Sequence, residues 1–302
     1  MLDLEDIFGA DGPLARALPD FRVRREQLRM AQRVEAALAE PEALVVEAGT
    51  GTGKTFAYLV PALLSGLRVL ISTGTRTLQD QLYSKDLPLV AAALGRPARV
   101  ALLKGRANYL CRYRLEHARD GVEQLGLLDA VTLTRSANAM LARIERWSRT
   151  TKGGDLAEVR GLADTHPVWS QVTSTRESCL GLRCPEASRC HVVHARRAAF
   201  EADIVIVNHH LLLADLALKE DGFGDLLGAA DAVILDEAHQ IPDLATQFFG
   251  AHLGSRQVEH LLRDLRIELS AAGALGRACA AVLEDADAAL RELRVAAGGP
   301  AG

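Results

Sequence analysis

The sequence predicts an α/β fold wound on both faces of a parallel sheet, and three observations carry that reading. Short apolar runs rich in Val, Ile and Leu recur along the chain, turn residues bound each run, and helical periodicity follows most of them. An unbroken apolar run of this length marks a strand buried on both faces. Strand–helix alternation then calls for parallel strands joined by right-handed crossovers.

The elements follow in order. Residues 43–47 (ALVVE) form the first predicted strand, which leads through a Gly-rich loop into a helix over 55–67. Residues 68–73 (RVLIST) form the second, followed by a mostly helical stretch over 78–94 with a break near Pro88. Residues 100–104 (VALLK), 203–208 (DIVIVN) and 232–236 (AVILD) have the same strand character. About a hundred residues separate the third run from the fourth, far more than a crossover takes, so this span is predicted to be an inserted domain. After residue 236 the pattern turns helical, over 253–269 and 278–295, before a Gly/Pro/Ala tail. The expected organisation is a core over 1–105 and 201–249, an insert over 106–200, and a helical segment over 250–302.

Composition is that of an ordinary globular chain: 49% hydrophobic and 25% charged over 302 residues, with aromatics at only 4%, so Ala, Leu and Val must build most of the core. Net charge is −4, yet residues 104–200 hold 16 Lys and Arg against 10 Asp and Glu. A basic middle on an acidic frame suits a local nucleic-acid contact, although a solvated Arg-rich surface has the same composition. The first 18 residues carry Asp3, Glu5, Asp6 and Asp11 and have no signal-peptide pattern. No run approaches the roughly 18–20 apolar residues of a membrane span. Five cysteines without an export signal imply a reducing compartment, the cytoplasm, where clustered Cys more often binds metal than forms disulfides.

Residues 47–55 read EAGTGTGKT between a predicted strand and a predicted helix, which is the phosphate-loop arrangement with Ala48 in place of the usual first Gly. Gly49, Gly51 and Gly53, with Thr50 and Thr52 between them, allow the backbone to curl so that its N–H groups converge on one anion. The following helix N-terminus adds partial positive charge. Lys54 then reaches the β- and γ-phosphates of a nucleotide, and the Thr55 hydroxyl sits on Mg²⁺. Such a loop needs a carboxylate partner, and residues 234–239 (ILDEAH) provide one at a strand end. Asp236 is expected to organise the Mg²⁺ shell and Glu237 to take the proton of the attacking water.

Four cysteines fall in the insert: Cys111, then Cys179, Cys184 and Cys190 spaced C-x4-C-x5-C. Four thiolates meet the requirement of a [4Fe–4S] cluster, and they also bind Zn²⁺. The three-plus-one spacing leans only modestly to iron–sulfur. Cys279 stands apart on an Ala-rich stretch and is expected to be a small buried apolar residue. His191 and His194 are expected to be ordinary surface residues. Asn208 and His209 follow a strand and suit either the cleft or the packing.

The phosphate loop together with DEAH resembles the superfamily 2 helicases. Arg24-x-x-Gln27-x-x-Met30 resembles their adenine-reading segment, and residues 72–82 (STGTRTLQDQL) resemble the motif that touches the DNA backbone, with Thr73, Thr75 and Gln79 as donors. KGRANYLC, the Cys trio, CHVVHARRAAFEADIVIVNHHLLLAD and ILDEAHQIPDLA make the chain similar to the DinG/XPD group of iron–sulfur DNA helicases, in its bacterial DinG and YoaA branch, over residues 21–249. That resemblance implies a RecA-like motor domain and a [4Fe–4S] insert ligated by Cys111, Cys179, Cys184 and Cys190. It also implies a partial helical arch at 250–302 and ATP-driven 5′–3′ movement on single-stranded DNA at forked duplexes. Arg106, Arg112, Arg196 and Arg197 become backbone contacts. His239 is then expected to couple nucleotide state to the rest of the motor. The family's second RecA-like domain, with its arginine finger, is not found in these 302 residues, so the chain reads as an N-terminal portion whose second motor half is encoded elsewhere or beyond it. Two other readings remain: a nucleotide- and DNA-binding module without turnover, and a zinc-containing phosphate-loop NTPase of another purpose.

Overall fold

The computed structural model describes residues 3–297, apart from 41, 50, 125–130, 164–165, 167, 176–177, 221–224, 250–254, 256–257, 260, 263–264, 267–268 and 270–272. Four parallel strands form one sheet in the order β2-β3-β1-β4. They are β1 (Val69–Thr73), β2 (Val100–Leu102), β3 (Ile204–Asn208) and β4 (Ala232–Leu235). β1 sits at the centre, paired in register with β3 (Ile71 opposite Ile206) and with β4 (Ser72 opposite Leu235). Its side chains are buried on both faces, as the RVLIST run predicts.

Residues alternate between two apolar layers, the consequence of a side-chain period of two. Val69, Ile71, Ile204 and Ile206 face one layer, built by α1 (Leu4–Ile7), α2 (Pro13–Ala17), α3 (Arg25–Ala39), α4 (Lys54–Ser65) and α6 (Leu87–Leu94). Leu70, Val205 and Val207 face the other, covered by α10 (His191–Glu201) and α11 (His209–Glu220). This is the predicted doubly wound α/β core. α4 ends at Gly66 and α6 at Gly95, both in the left-handed region that closes a helix at little cost.

Three local expectations are corrected. Residues 43–47 belong to no strand: Val45 is 95% exposed, and the outer edge of β4 is unpaired among the described residues. An apolar run becomes a strand only when a neighbour takes its backbone hydrogen bonds. β4 itself is only half-buried, at Ala232 and Ile234 on one face, with Val233 and Leu235 exposed on the other. The break expected at Pro88 lies earlier. α5 (Arg76–Gln81) passes through a π-helical turn at Leu82–Asp86, and Pro88 sits harmlessly in the first turn of α6.

Within the span predicted as an insert, α7 (Arg112–Gln124), α8 (Val131–Ser148) and α9 (Val168–Val172) enclose an apolar cluster containing Leu110, Leu115, Ile144, Trp169 and Val172. α12 (Ile241–Phe249) follows β4. Residues 245–302 form a second compact unit, which contains α13 (Arg277–Ala296). The helix expected over 253–269 lies partly outside the described residues; Leu261, Leu262 and Leu265 within it are helical. Cys279, expected to be buried, is exposed on α13. No helix among the described residues is long and apolar enough to cross a membrane.

Candidate functional site

The phosphate loop enters α4 through Gly53, whose φ of 81° lies in the left-handed region, as does that of Gly51 at 78°. A side chain at Gly53 would meet the Gln27 amide as well as backbone strain, since its Cβ would lie 2.1 Å from Gln27 Nε2. Gln27 is buried and donates through Nε2 to the Gly53 carbonyl at 2.9 Å, which fastens α3 to the loop. Its Oε1 is buried without a partner among the described residues. Thr52 donates to the Gly49 carbonyl at 2.9 Å, closing the turn, and Arg24 stands exposed at the N-cap of α3. Thr50 lies outside the described residues.

Asp236 and Glu237 lie at the C-terminal end of β4, where ligands gather in parallel sheets. The Asp236 N–H continues the ladder to the Ser72 carbonyl at 2.8 Å, and the chain then turns sharply. Glu237, at φ 55° and ψ 42°, is the one non-glycine residue with positive φ among those described. The Lys54 ammonium lies 3.3 Å from Glu237 Oε1, and His239 Nδ1 lies 3.4 Å from Glu237 Oε2. The two predicted halves of the site therefore meet.

Tyr58 joins them and was not expected from the sequence. One turn after Lys54 on α4, its hydroxyl donates to Asp236 Oδ2 at 3.2 Å. Burial, reinforced by the Asp236 charge, holds its pKa well above the ordinary phenol value, while a Thr55 hydrogen bond pulls the other way. Thr55 is thereby linked through Tyr58 to Asp236. Burial first, and the neighbouring Glu237 charge after the opposing Tyr58 bond, raise the Asp236 pKa. A half-buried carboxylate beside a second one is an undercompensated negative charge, and that donor set fits a divalent cation. A polar hydroxyl at i+4 from Lys54, inside an otherwise apolar helix, was the available signal.

The model of the DEAD/DEAH box helicase family matches residues 28–117. Over 264 residues the chain is 48% identical to the ATP-dependent DNA helicase YoaA of Haemophilus influenzae, covering 87% of this chain and 40% of that protein. It is 40% identical to the ATP-dependent helicase DinG of Mycobacterium tuberculosis, covering 77% of this chain and 36% of that protein. A relative named 3′-5′ exonuclease DinG in Bacillus subtilis is 32% identical, covering 88% of this chain and 27% of that protein. Over most of its length the chain is similar to DinG-type DEAD/DEAH helicases. It spans well under half the length of these relatives and matches their N-terminal portion.

Cys111, Cys179, Cys184 and Cys190 all lie outside helices and strands. Cys111 precedes α7 and Cys190 precedes α10, while Cys184 and Cys190 each follow a 3₁₀ turn. All four are half-buried and free of disulfides. Burial pushes the Cys111 thiol up, and charge on Cys184, Cys190 and Cys179 pushes it further, so the four share one neighbourhood. No three His, Cys, Asp or Glu side chains among the described residues form a group that could hold a metal ion. His191, expected at the surface, is buried against Gly154 at the root of the insert; His194 is exposed as expected. Arg196 is half-buried beside Arg106 and near Cys179 and Cys190, whereas Arg197 is exposed and Arg112 is half-buried.

The segment after β1 behaves differently from its expected role. Thr73 and Gln79 are fully buried; Thr73 donates to the Thr75 carbonyl, and Gln79 to that of Leu103. Thr75 caps α5 by accepting the Leu78 N–H. Of the three, Thr75 alone is exposed to a passing phosphate. Lys104 was also missed. Only 2% exposed, its ammonium lies 2.6 Å from Asp80 Oδ1 on α5 and 2.7 Å from Asp155 Oδ2 in the insert.

Proposed function

We propose that this chain is the nucleotide-binding motor portion of an ATP-dependent DNA helicase that translocates 5′ to 3′ on single-stranded DNA and opens forked duplexes. The observation that carries the reading is the convergence of Lys54, Glu237 and Asp236, from segments far apart in sequence, on one side of the phosphate loop. The loop amides and Lys54 hold the triphosphate, and Gln27, fastened to Gly53, stands where the base is read. Thr55 and Asp236 would hold Mg²⁺, which when bound offsets the charge of the phosphates. Glu237 accepts the proton of the attacking water once the triphosphate has drawn Lys54 away from it. A second motor half, outside these residues, would supply the arginine that completes turnover; losing such a residue costs on the order of 10³-fold or more in rate.

The insert over 106–200 is read as a [4Fe–4S] domain held by Cys111, Cys179, Cys184 and Cys190, and residues 250–302 as part of a helical arch. Four free, half-buried thiols fit a four-thiolate group, and the three-plus-one spacing leans to iron–sulfur over zinc. Those thiolates would hold the cluster near Arg196 and Arg106, which with Arg112 and Arg197 would meet the DNA backbone. The implied compartment is the cytoplasm.

The test is ATP hydrolysis measured with and without single-stranded DNA, beside Lys54→Ala. Hydrolysis stimulated by DNA and abolished by the substitution supports the motor. Tight binding of both ligands with no turnover favours a module that binds without hydrolysing. Hydrolysis that survives Lys54→Ala overturns the assignment of the site.

A further inference from the structure

The proposed reaction leaves one buried polar contact unexplained. His209, the first residue of α11, is completely buried, and its Nδ1 lies 2.7 Å from Ser72 Oγ. Ser72 lies in β1, where its backbone carbonyl accepts the Asp236 N–H. Ser72 therefore holds Asp236 by its main chain and His209 by its side chain. The imidazole also lies near the backbone of Asp236 and Glu237, and its buried Nε2 makes no hydrogen bond among the described residues.

That turn is strained. Glu237 occupies the left-handed region, which residues with a Cβ adopt only when their surroundings over-determine it. The ladder bond to Ser72 fixes Asp236, but nothing in the ladder fixes the residue after it. A packed ring tied to Ser72 supplies that support from beneath. Packing alone would be met by Leu, without placing a polar ring in the interior. The hydroxyl–imidazole bond is the feature that needs a reason.

We propose that His209 is a positioning residue which, through Ser72 and the backbone of Asp236 and Glu237, holds the carboxylate turn in the form that receives the nucleotide's divalent cation. The inference rests on the Mg²⁺–ATP reading above and adds a residue to it. His209 touches neither nucleotide nor metal. Its effect is confined to the metal-dependent part of binding, because the phosphate loop and Lys54 are held by α3 and α4 instead.

The test is the affinity of the whole chain for a non-hydrolysable ATP analogue, measured with Mg²⁺ and with EDTA. His209→Leu keeps bulk and removes the hydrogen bond; it is expected to weaken binding in Mg²⁺ by about ten- to a hundredfold, the scale of losing an outer partner of a metal ligand, and to leave binding in EDTA unchanged. His209→Asn, whose amide oxygen can take the place of Nδ1 toward Ser72, is expected to restore most of the loss. Should His209→Leu fail to fold, Ser72→Ala removes only the hydroxyl and carries the same expectation. Equal loss in both conditions, or no loss in either, overturns the positioning role. Lys54→Ala is the control that separates the two claims: if it binds as the unsubstituted chain does, or if Mg²⁺ never tightens binding, the nucleotide reading fails and the positioning role falls with it.

Discussion

The Lys54 ammonium lies 3.3 Å from Glu237 Oε1 across a sequence separation of 183 residues, so the phosphate loop offsets one of the two carboxylates of the DEAH turn. Both side chains remain about one-third exposed, at 29% and 32%. An ion pair of that exposure contributes only about 0–1 kcal/mol, which an incoming triphosphate readily replaces. Glu237→Gln is therefore expected to leave ATP affinity unchanged or slightly tighter while lowering hydrolysis by about 10²–10⁴-fold, the loss of a general base. Parallel binding titrations and phosphate-release assays check both halves.

Asp236 leads to a stability prediction with a definite sign. Burial raises its folded-state pKa above the ordinary value of 3.8. Between the unfolded and the folded pKa the native state binds more protons than the unfolded one, so stability falls as pH rises through that window. Above it, the ionised carboxylate remains a net cost. Asp236→Asn, which keeps a polar group near Tyr58, is expected to melt at a higher temperature than the parent at neutral pH. The advantage is expected to shrink as pH drops toward 3.8. Melting curves across that range test it, and a variant less stable than the parent at neutral pH contradicts the burial argument.

The core was legible where a single local pattern decides the structure. RVLIST and DIVIVN are apolar throughout, and such runs have few places to go except a sheet covered on both faces. The phosphate loop was legible because glycines, Lys54 and a helix start coincide. Residues 43–47 were not, because the same apolar pattern lacks a ladder partner, and pairing is a property of two segments. Lys104 escaped, and His209 stayed open between cleft and packing, for a related reason: their burial depends on partners at Asp80, Asp155 and Ser72, which no local pattern around either residue announces. Gln79 and Thr73 carry donors suited to phosphate contacts, but the fold spends those donors on its own carbonyls.

Lys104 holds two acids from different parts of the chain, one on α5 and one in the insert. Tyr109 supports it by accepting the Lys104 N–H at 3.0 Å, and Tyr109 itself bridges to Asp155. Removing Lys104 strands two acids that keep solvent contact, at 40% and 20% exposure, at a cost of about 1–3 kcal/mol. Lys104→Ala is expected to lose that much in denaturant unfolding. Combining Lys104→Met with Asp80→Asn and Asp155→Asn is expected to recover most of it, since no charge is then stranded.

For the cysteines, the expected outcome is compositional. Protein purified without oxygen is expected to be brown, with iron and acid-labile sulfide in equal amounts and little zinc. Cys184→Ser is expected to lose most of the iron and the broad visible absorption, whereas Cys279→Ser, on exposed α13, changes neither. Zinc in place of iron in the parent protein contradicts the cluster reading without touching the nucleotide site.

The most direct measurement of the central claim is calorimetric titration of the chain with a non-hydrolysable ATP analogue, with Mg²⁺ and with EDTA, for the parent, Lys54→Ala and Asp236→Asn. Binding that Mg²⁺ strengthens in the parent, that is lost in Lys54→Ala, and that keeps only its metal-independent part in Asp236→Asn is the expected result. Indistinguishable isotherms for all three proteins would contradict it.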